Sequence, residues 1–133
     1  MSLKIYAALS AYYKNTNGLV EEGHITLSFM SVKETSKLRI NNLLPDSIIT
    51  VKVKNVEYWE KSDITVLVLE ENKDISNIQS SLTSAGFIYE HFEFKPHITI
   101  SKGNVVNNYK SLKETTVYIN DLYLRLKEIK NVK

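Results

Sequence analysis

The sequence predicts an α+β fold in which two helices cover a mostly antiparallel β-sheet. Apolar and polar residues alternate along several segments rich in β-forming residues, which is the pattern of strands with one wet face. Apolar residues recur at helical spacing in only two segments, and turn-forming clusters separate the elements. With 133 residues, 43% apolar residues and a net charge of +2, the chain has the composition of a single domain spanning residues 1–133.

Two strands joined by a turn are predicted first. Residues 3–13 alternate between two sets of side chains, with Tyr12 in the polar set and Leu9 in the apolar set, and this two-residue period predicts a strand. Residues 14–18 are rich in asparagine and end in Asn-Gly, which favours a turn. Residues 24–30 are predicted to form the second strand.

A helix and a third strand are predicted next. Ser31 and Glu34 stand three residues apart, as in a capping box, so we expect a helix to begin at Ser31. Pro45 closes that segment, because a helix rarely continues into proline. Residues 48–59 alternate as a strand with one wet face, and residues 61–63 have the composition of a tight turn.

The middle of the chain predicts a buried strand and a second helix. Residues 64–69 are nearly unbroken β-formers, which indicates burial on both faces and a central place in the sheet. We expect the helix to start at Asn72 or Asp74 and to stop at Gly86 in a left-handed conformation. Its apolar residues recur at helical spacing: Ile75, Ile78, Leu82 and Ala85.

Two more strands complete a tally of about six strands and two helices. They are predicted over residues 95–102 and 115–126. In the last strand the apolar positions shift by one residue between Ile119 and Leu122, which predicts a bulge near Asn120 and the aspartate after it.

Charge and cysteine content exclude several classes of protein. A net charge of +2 is far from the basicity of a protein that coats long nucleic acid, so any nucleotide ligand is expected to be small or bound locally. Without cysteine the chain forms no disulfide, Cys-ligated zinc site or Cys nucleophile. No secretion signal or membrane-length apolar run is visible. We therefore expect a soluble, cytoplasmic protein that does not bind membranes.

One five-residue pattern occurs twice, as His-Ile-Thr-Leu-Ser and His-Ile-Thr-Ile-Ser. On a strand, the two-residue period places the histidine, threonine and serine of each copy on one polar face. These residues are His24, Thr26 and Ser28 in the first copy and His97, Thr99 and Ser101 in the second. A single copy is most simply a strand with an ordinary polar face. The chain has three histidines, and two of them in near-identical contexts favour a functional interpretation.

A pair of imidazoles can supply a neutral base and a charged acid at the same time, because imidazole titrates near pH 6.5. Cleavage of a phosphodiester beside a 2′-hydroxyl needs that combination, and the threonine hydroxyls are suited to donate to phosphate oxygens. Zinc held by His24, His97 and His91 is disfavoured, because neither tract contains a carboxylate or a closely spaced second ligand. The serine-hydrolase elbow and the glycine-rich phosphate loop are both missing from the sequence.

The chain resembles the two-histidine (2H) phosphoesterase superfamily, which is defined by two His-x-Thr/Ser motifs on facing strands. Its second half, through residues 66–70, the helix to Gly86 and residues 94–101, is similar to the phage anti-CBASS phosphodiesterases. Those enzymes destroy the cyclic oligonucleotide signals of bacterial immunity. The resemblance implies a central two-histidine cleft, a metal-independent phosphodiesterase activity and no cofactor.

The resemblance also implies roles for particular residues. His24 and His97 would be the catalytic pair, and Thr26 and Thr99 the phosphate-binding hydroxyls, with base and acid unassigned. The expected substrate is a small cyclic oligonucleotide or short ribonucleotide. Two alternatives stay open: an RNA-end phosphodiesterase acting on 2′,3′-cyclic phosphates or 2′-5′ linkages, and a nucleotide-binding sponge without turnover. The sequence leaves the oligomeric state open.

Four further residues are candidates for substrate contacts. Tyr12 either stacks on a base or is a half-buried strand tyrosine. Trp59 either covers a base or closes the core, and the core is the favoured interpretation. Alternation turns Lys102 away from the histidine of the second copy unless the strand ends at Ser101, which would free the lysine for phosphate. His91 is expected to be an ordinary solvated histidine, on a segment that could form a flap.

Overall fold

Six strands and two α-helices make up the part of the chain that the computed structural model describes, residues 2–31, 48–84, 86–88 and 95–129. The predicted helix that starts at Ser31 and ends before Pro45 lies outside those residues, and so does His91. The strands are β1 (Ser2–Lys14), β2 (Val20–Ser31), β3 (Ile49–Trp59), β4 (Ile64–Leu69), β5 (His97–Lys102) and β6 (Thr116–Ile129). The helices are α1 (Lys73–Ser84) and α2 (Val106–Tyr109), and a 3₁₀ turn, Lys110–Leu112, follows α2.

The strands form one six-stranded sheet in the order β2-β1-β6-β3-β4-β5. All five described pairings are antiparallel, so the predicted α+β class with a mostly antiparallel sheet is confirmed. The long strand β3 joins the two halves, because residues 49–52 pair with β6 and residues 53–59 pair with β4. The two edge strands, β2 and β5, are in contact with each other. The sheet therefore curls until its edges meet.

Helix α1 begins and ends where the sequence predicts. The side-chain oxygen of Asn72 accepts a hydrogen bond from the backbone N–H of Ile75 at 3.1 Å, as an N-cap residue does. Gly86 follows the last turn with φ of +103°, a conformation that only glycine adopts readily. The apolar stripe packs on one face of the sheet, since Ile75, Ile78 and Leu82 are buried in the core.

Strand β4 has the predicted bounds, but its predicted central position is wrong. It is fifth in the sheet, between β3 and the edge strand β5. Val66 and Leu67 are fully buried although they point to opposite faces. The prediction that β4 is buried on both faces is therefore confirmed. A position in the middle of the sheet is not the reason for that burial.

The bulge predicted in β6 is confirmed. Ser10 pairs with Asp121 and Ala11 pairs with Ile119, so Asn120 is an extra residue on β6. Helix α2 was not predicted. It has four residues and no side-chain cap, so it leaves no helical period or capping pattern to detect.

The hydrophobic core lies on one face of the sheet and joins strands from both halves with α1. Leu9 and Ile25 come from one half, Leu67 and Ile98 from the other, and Phe87 follows the helix. Since this face is filled by apolar side chains, the polar residues of the strands collect on the opposite face.

Candidate functional site

The first His-Ile-Thr tract lies on β2 and contains a β-bulge. Ala8 pairs with Thr26 whereas Ala7 pairs with Ser28, so Leu27 has no partner of its own on β1. Register partners point to the same face of a sheet, so Ser28 lies on the core side with Ala7, and both are buried. The prediction that Ser28 shares the face of the histidine is wrong, because simple alternation assumes no bulge.

The second tract, on β5, carries a bulge at the equivalent position. Val66 of β4 pairs with Thr99, the next residue Thr65 pairs with Ser101, and Ile100 is left as the extra residue. Ser101 therefore shares the core-side face of Thr65, and its predicted place beside the second histidine is also wrong. The repeated sequence is thus a repeated structure: His-x-Thr, a bulge, and a serine turned to the other face.

The bulge in β5 reverses the prediction for Lys102. This lysine pairs with Ile64, which in turn pairs with Trp59 on β3. His97 pairs with Val68, and Ile64 and Val68 lie on the same face of β4 because they are four residues apart. Lys102 therefore lies on the face of His97 while it is still part of the strand.

Both histidines lie on one face of the sheet, opposite to the face that packs against α1. On the side of His24, the paired residues Tyr12, Tyr118 and Thr50 carry this polar face across β1, β6 and β3. One further bulge in β3 keeps the same face toward β4 and β5, where His97 lies. The strand register therefore places the histidines of both tracts on the same face of the sheet.

The two strands that carry the tracts touch where the sheet edges meet. A Cβ placed on Gly23 would lie 2.7 Å from Cγ2 of Ile98, a distance that no real side chain tolerates, so β2 and β5 approach closely only because residue 23 is glycine. Gly23 immediately precedes His24, and Ile98 immediately follows His97. The contact thus joins the neighbours of the two histidines.

Aromatic side chains lie on the same face of the sheet as His24, which is itself exposed. Tyr12 is half-buried and stacks on Tyr118 with ring centroids 5.1 Å apart and an interplanar angle of 15°; Tyr118 is 38% exposed. Tyr6 contacts Phe29 at 6.0 Å, and Phe29 reaches this face because the bulge lies just before it. Sequence reasoning found Tyr12 but missed Tyr118, since only the strand pairing brings those two rings together.

His97 is half-buried, and the protein holds its ring on two sides. Its Nδ1 lies 2.8 Å from the backbone oxygen of Lys95. A carbonyl oxygen only accepts, so Nδ1 carries the hydrogen and Nε2 is the nitrogen at which a proton is gained or lost. The indole of Trp59 contacts the imidazole with ring centroids 4.4 Å apart. The expectation that Trp59 closes the core is therefore wrong, because the register of β3 turns it to the polar face.

Trp59 is anchored by Glu57, which sequence reasoning missed. The indole N–H donates to Oε1 of Glu57 at 3.2 Å, and the side-chain amide of Asn55 donates to Oε2 at 3.3 Å. Glu57 pairs with Val66, so the indole extends along the polar face past Val66 toward His97. This explains why β4 is buried on its second face. Glu57 and Trp59 are two residues apart on a strand and so lie on one face, which was the sequence signal for this contact.

This set of side chains is suited to proton transfer and anion binding. Imidazole is a side chain suited to general acid and base catalysis, and the hydroxyls of Thr26 and Thr99 can donate hydrogen bonds. Lys102 adds a positive charge on the same face. Among the residues that the structure describes, no group of three or more His, Asp or Glu side chains could hold a metal ion.

Comparison with known proteins gives no further assignment. No model of a known protein family matches the chain, and no curated protein is similar to it in sequence. Within the described ranges, no helix is long and apolar enough to cross a membrane.

Proposed function

We propose that this protein is a two-histidine phosphodiesterase that cleaves ribonucleotide phosphodiester bonds, with His24 and His97 as general acid and base and without a metal ion. One observation carries the proposal. The chain contains two five-residue tracts that differ only at their fourth residue, and each has a bulge at that residue. Gly23, which precedes the first tract, lies against Ile98 of the second.

The proposed reaction is a transesterification at phosphorus. The neutral imidazole takes the proton of the 2′-hydroxyl, and the 2′-oxygen attacks the adjacent phosphorus. The bond from phosphorus to the 5′-oxygen breaks, and that oxygen takes a proton from the imidazolium. The products are a 2′,3′-cyclic phosphate and a free 5′-hydroxyl. Thr26, Thr99 and Lys102 would stabilise the charge that develops on the phosphate oxygens.

Small cyclic oligonucleotides are the proposed substrates. The modest net charge of +2 favours a compact ligand over long RNA, because affinity for a long polyanion depends on many cationic contacts. The rings of Tyr12 and Tyr118, on the same face as His24, offer stacking surfaces, and each stacked base contributes roughly 1–3 kcal/mol. Both considerations support a short ribonucleotide ligand.

The test is incubation with a substrate panel in EDTA, with products identified by mass. The panel contains cyclic di- and trinucleotides, RNA ends with 2′,3′-cyclic phosphates, and 2′-5′ linked dinucleotides. We expect cyclic oligonucleotides to be opened in the presence of EDTA. Conversion of RNA ends alone would replace the substrate but keep the mechanism. Binding without conversion would identify a sponge, and loss of activity in EDTA would contradict the metal-free proposal.

The pH profile tests the division of roles. One imidazole must be neutral while the other is charged, so we expect a bell-shaped dependence of kcat/KM on pH. A profile that rises or falls through a single ionisation would show that only one of the two histidines takes part in proton transfer.

A further inference from the structure

A polar pocket lies on the core-side face, away from both histidines. It is bounded by the tip of the β1–β2 turn, the bulge of β5 and the α2 segment, and its volume is about 290 Å³. This is near the lower end of the range for ligand sites. Its lining includes Tyr13, Asn15, Glu21, Ile100, Asn108 and Tyr109.

Tyr13 is a largely buried residue that lines the pocket. Only 6% of it is exposed, and it lies in the same lining as Glu21 and Tyr109. Burial raises the pKa of Tyr13, and its electrostatic interactions with the Glu21 carboxylate and with Tyr109 raise it further. All three of these oxygen-bearing side chains line the same pocket.

Glu21 is fixed at the edge of the pocket by the turn. The amide of Asn15 donates to Oε1 of Glu21 at 2.9 Å. The oxygen of the same amide accepts the backbone N–H groups of Asn17 and Leu19 at 2.9 Å and 3.0 Å. Glu21 also pairs directly with Tyr13 across the two strands. The carboxylate is therefore positioned by the backbone of the turn.

The lining contains a carboxylate and two phenols but no lysine or arginine. Such a pocket repels phosphate and other anions. It offers three groups that accept hydrogen bonds, and the faces of tyrosine rings attract cations. An alkylammonium group matches this set, because it carries one positive charge and three N–H donors and its carbon chain can lie on Ile100.

We infer that this pocket binds a primary alkylammonium group, held by Glu21, Tyr13 and Tyr109. The inference is independent of the phosphodiesterase proposal, because none of the residues that would hold the ammonium group has a role in the proposed cleavage. The ammonium group can belong to a free amine or to a lysine side chain of another protein, and the experiment separates these two sources.

The test follows backbone amide signals by NMR during titration with n-butylammonium chloride at constant ionic strength. We expect saturable shifts at the turn, at Glu21 and at α2, and none with n-butanol, which has similar size and no charge. Glu21→Gln should weaken binding about fivefold or more. Tyr13→Phe keeps the buried ring and removes only the hydroxyl, so it should weaken binding about two- to tenfold.

Glu22→Gln is the matched control, because Glu22 pairs with Tyr12 and so points to the other face; it should leave the affinity unchanged. A second titration uses a short peptide with a central lysine. If the peptide binds as well as the amine, the source is a protein side chain, and if it is excluded, the source is a free amine. The inference is overturned if no amine gives saturable shifts, if n-butanol binds equally, or if both variants bind as the unmodified protein does.

Discussion

The two His-Ile-Thr tracts have the same local structure and different surroundings. His24 is exposed and shares its face of the sheet with the stacked rings of Tyr12 and Tyr118. His97 is half-buried, its Nδ1 donates to a backbone oxygen, and Trp59 contacts its ring. The five-residue sequence thus determines the strand, the bulge and the direction of the histidine. The neighbouring strands determine how firmly each imidazole is held.

The residue after each bulged tract differs as well. In the first tract it is Phe29, which contacts Tyr6. In the second it is Lys102, on the face of His97. One side of the proposed site is therefore aromatic and the other is cationic and anchored by Trp59. This difference teaches that a repeated motif can supply two unlike halves of one site.

The largest expected effect comes from removing either histidine. His24→Ala and His97→Ala should each lower kcat for phosphodiester cleavage by roughly 10²–10⁴, because positioned proton transfer contributes about that much. His91→Ala is the histidine control and should retain activity. A loss of less than about tenfold in either variant would contradict the proposal that the two histidines act as one catalytic pair.

Gly23→Ala should overpack the contact between strands β2 and β5. The new Cβ would lie 2.7 Å from Cγ2 of Ile98, so we expect a loss of about 1–3 kcal/mol of stability in urea unfolding, as for other overpacked sites. In an Ile98→Ala background the same change should cost much less. Equal costs in both backgrounds would show that the edges of the sheet do not meet at this contact.

Trp59 allows the second histidine to be observed separately from the first. It is the chain's single tryptophan, and its ring lies 4.4 Å from that of His97. Its emission should therefore change as His97 gains a proton, within the range of roughly pH 5–8 in which imidazoles titrate. His24→Gln should leave this titration unchanged and His97→Gln should abolish it. The opposite pattern would contradict the described contact.

Lys102→Ala should have a smaller effect, on substrate binding. Losing one exposed cation near a phosphate costs up to about 1 kcal/mol, so KM should rise about two- to fivefold at low salt, with little change in kcat. Lys113→Ala, another exposed lysine, is the control. If the two variants behave alike, the bulge of β5 does not direct Lys102 toward the substrate.

The smallest effect compares one tyrosine from each half of the sheet. Burial raises the pKa of Tyr13 above its ordinary value of 10.0, and the hydrogen bond to Asp63 raises that of Tyr58. The unfolded chain then loses these protons first, so stability is full below pH 10.0 and falls as the pH rises through the folded-state pKa. Tyr13→Phe and Tyr58→Phe should each flatten the fall in urea midpoint from about pH 8 to about pH 11. Unchanged slopes would contradict the pKa shifts.

Strand periodicity was sufficient to predict most of the sheet but not the bulges in the tracts. The bulge at Asn120 leaves a trace, because apolar positions change parity around it. The bulge at Leu27 leaves none, since Ile25, Leu27 and Phe29 keep an unbroken apolar alternation. Phe29 in fact lies on the polar face with Tyr6. A hydrophobic pattern reveals a bulge only when the apolar residues after the bulge shift by one position, so that they still point to the core.

Long-range register explains the other differences. The place of Trp59 beside His97 depends on how β3, β4 and β5 pair, and no local pattern contains that information. The same holds for Lys102, which alternation alone turns the wrong way. By contrast, Asn72 and Gly86 act within one helical turn of their own positions, so the ends of α1 were predictable from sequence.

The central claim is that the two tracts act together on one phosphorus. The most direct measurement is a crystal structure of the protein bound to a 2′-O-methyl cyclic dinucleotide, which lacks the attacking hydroxyl. We predict that Nε2 of His24 and Nε2 of His97 both lie within hydrogen-bond reach of oxygens on the same phosphodiester group. A complex in which the ligand contacts one histidine while the other binds no part of it would contradict the account.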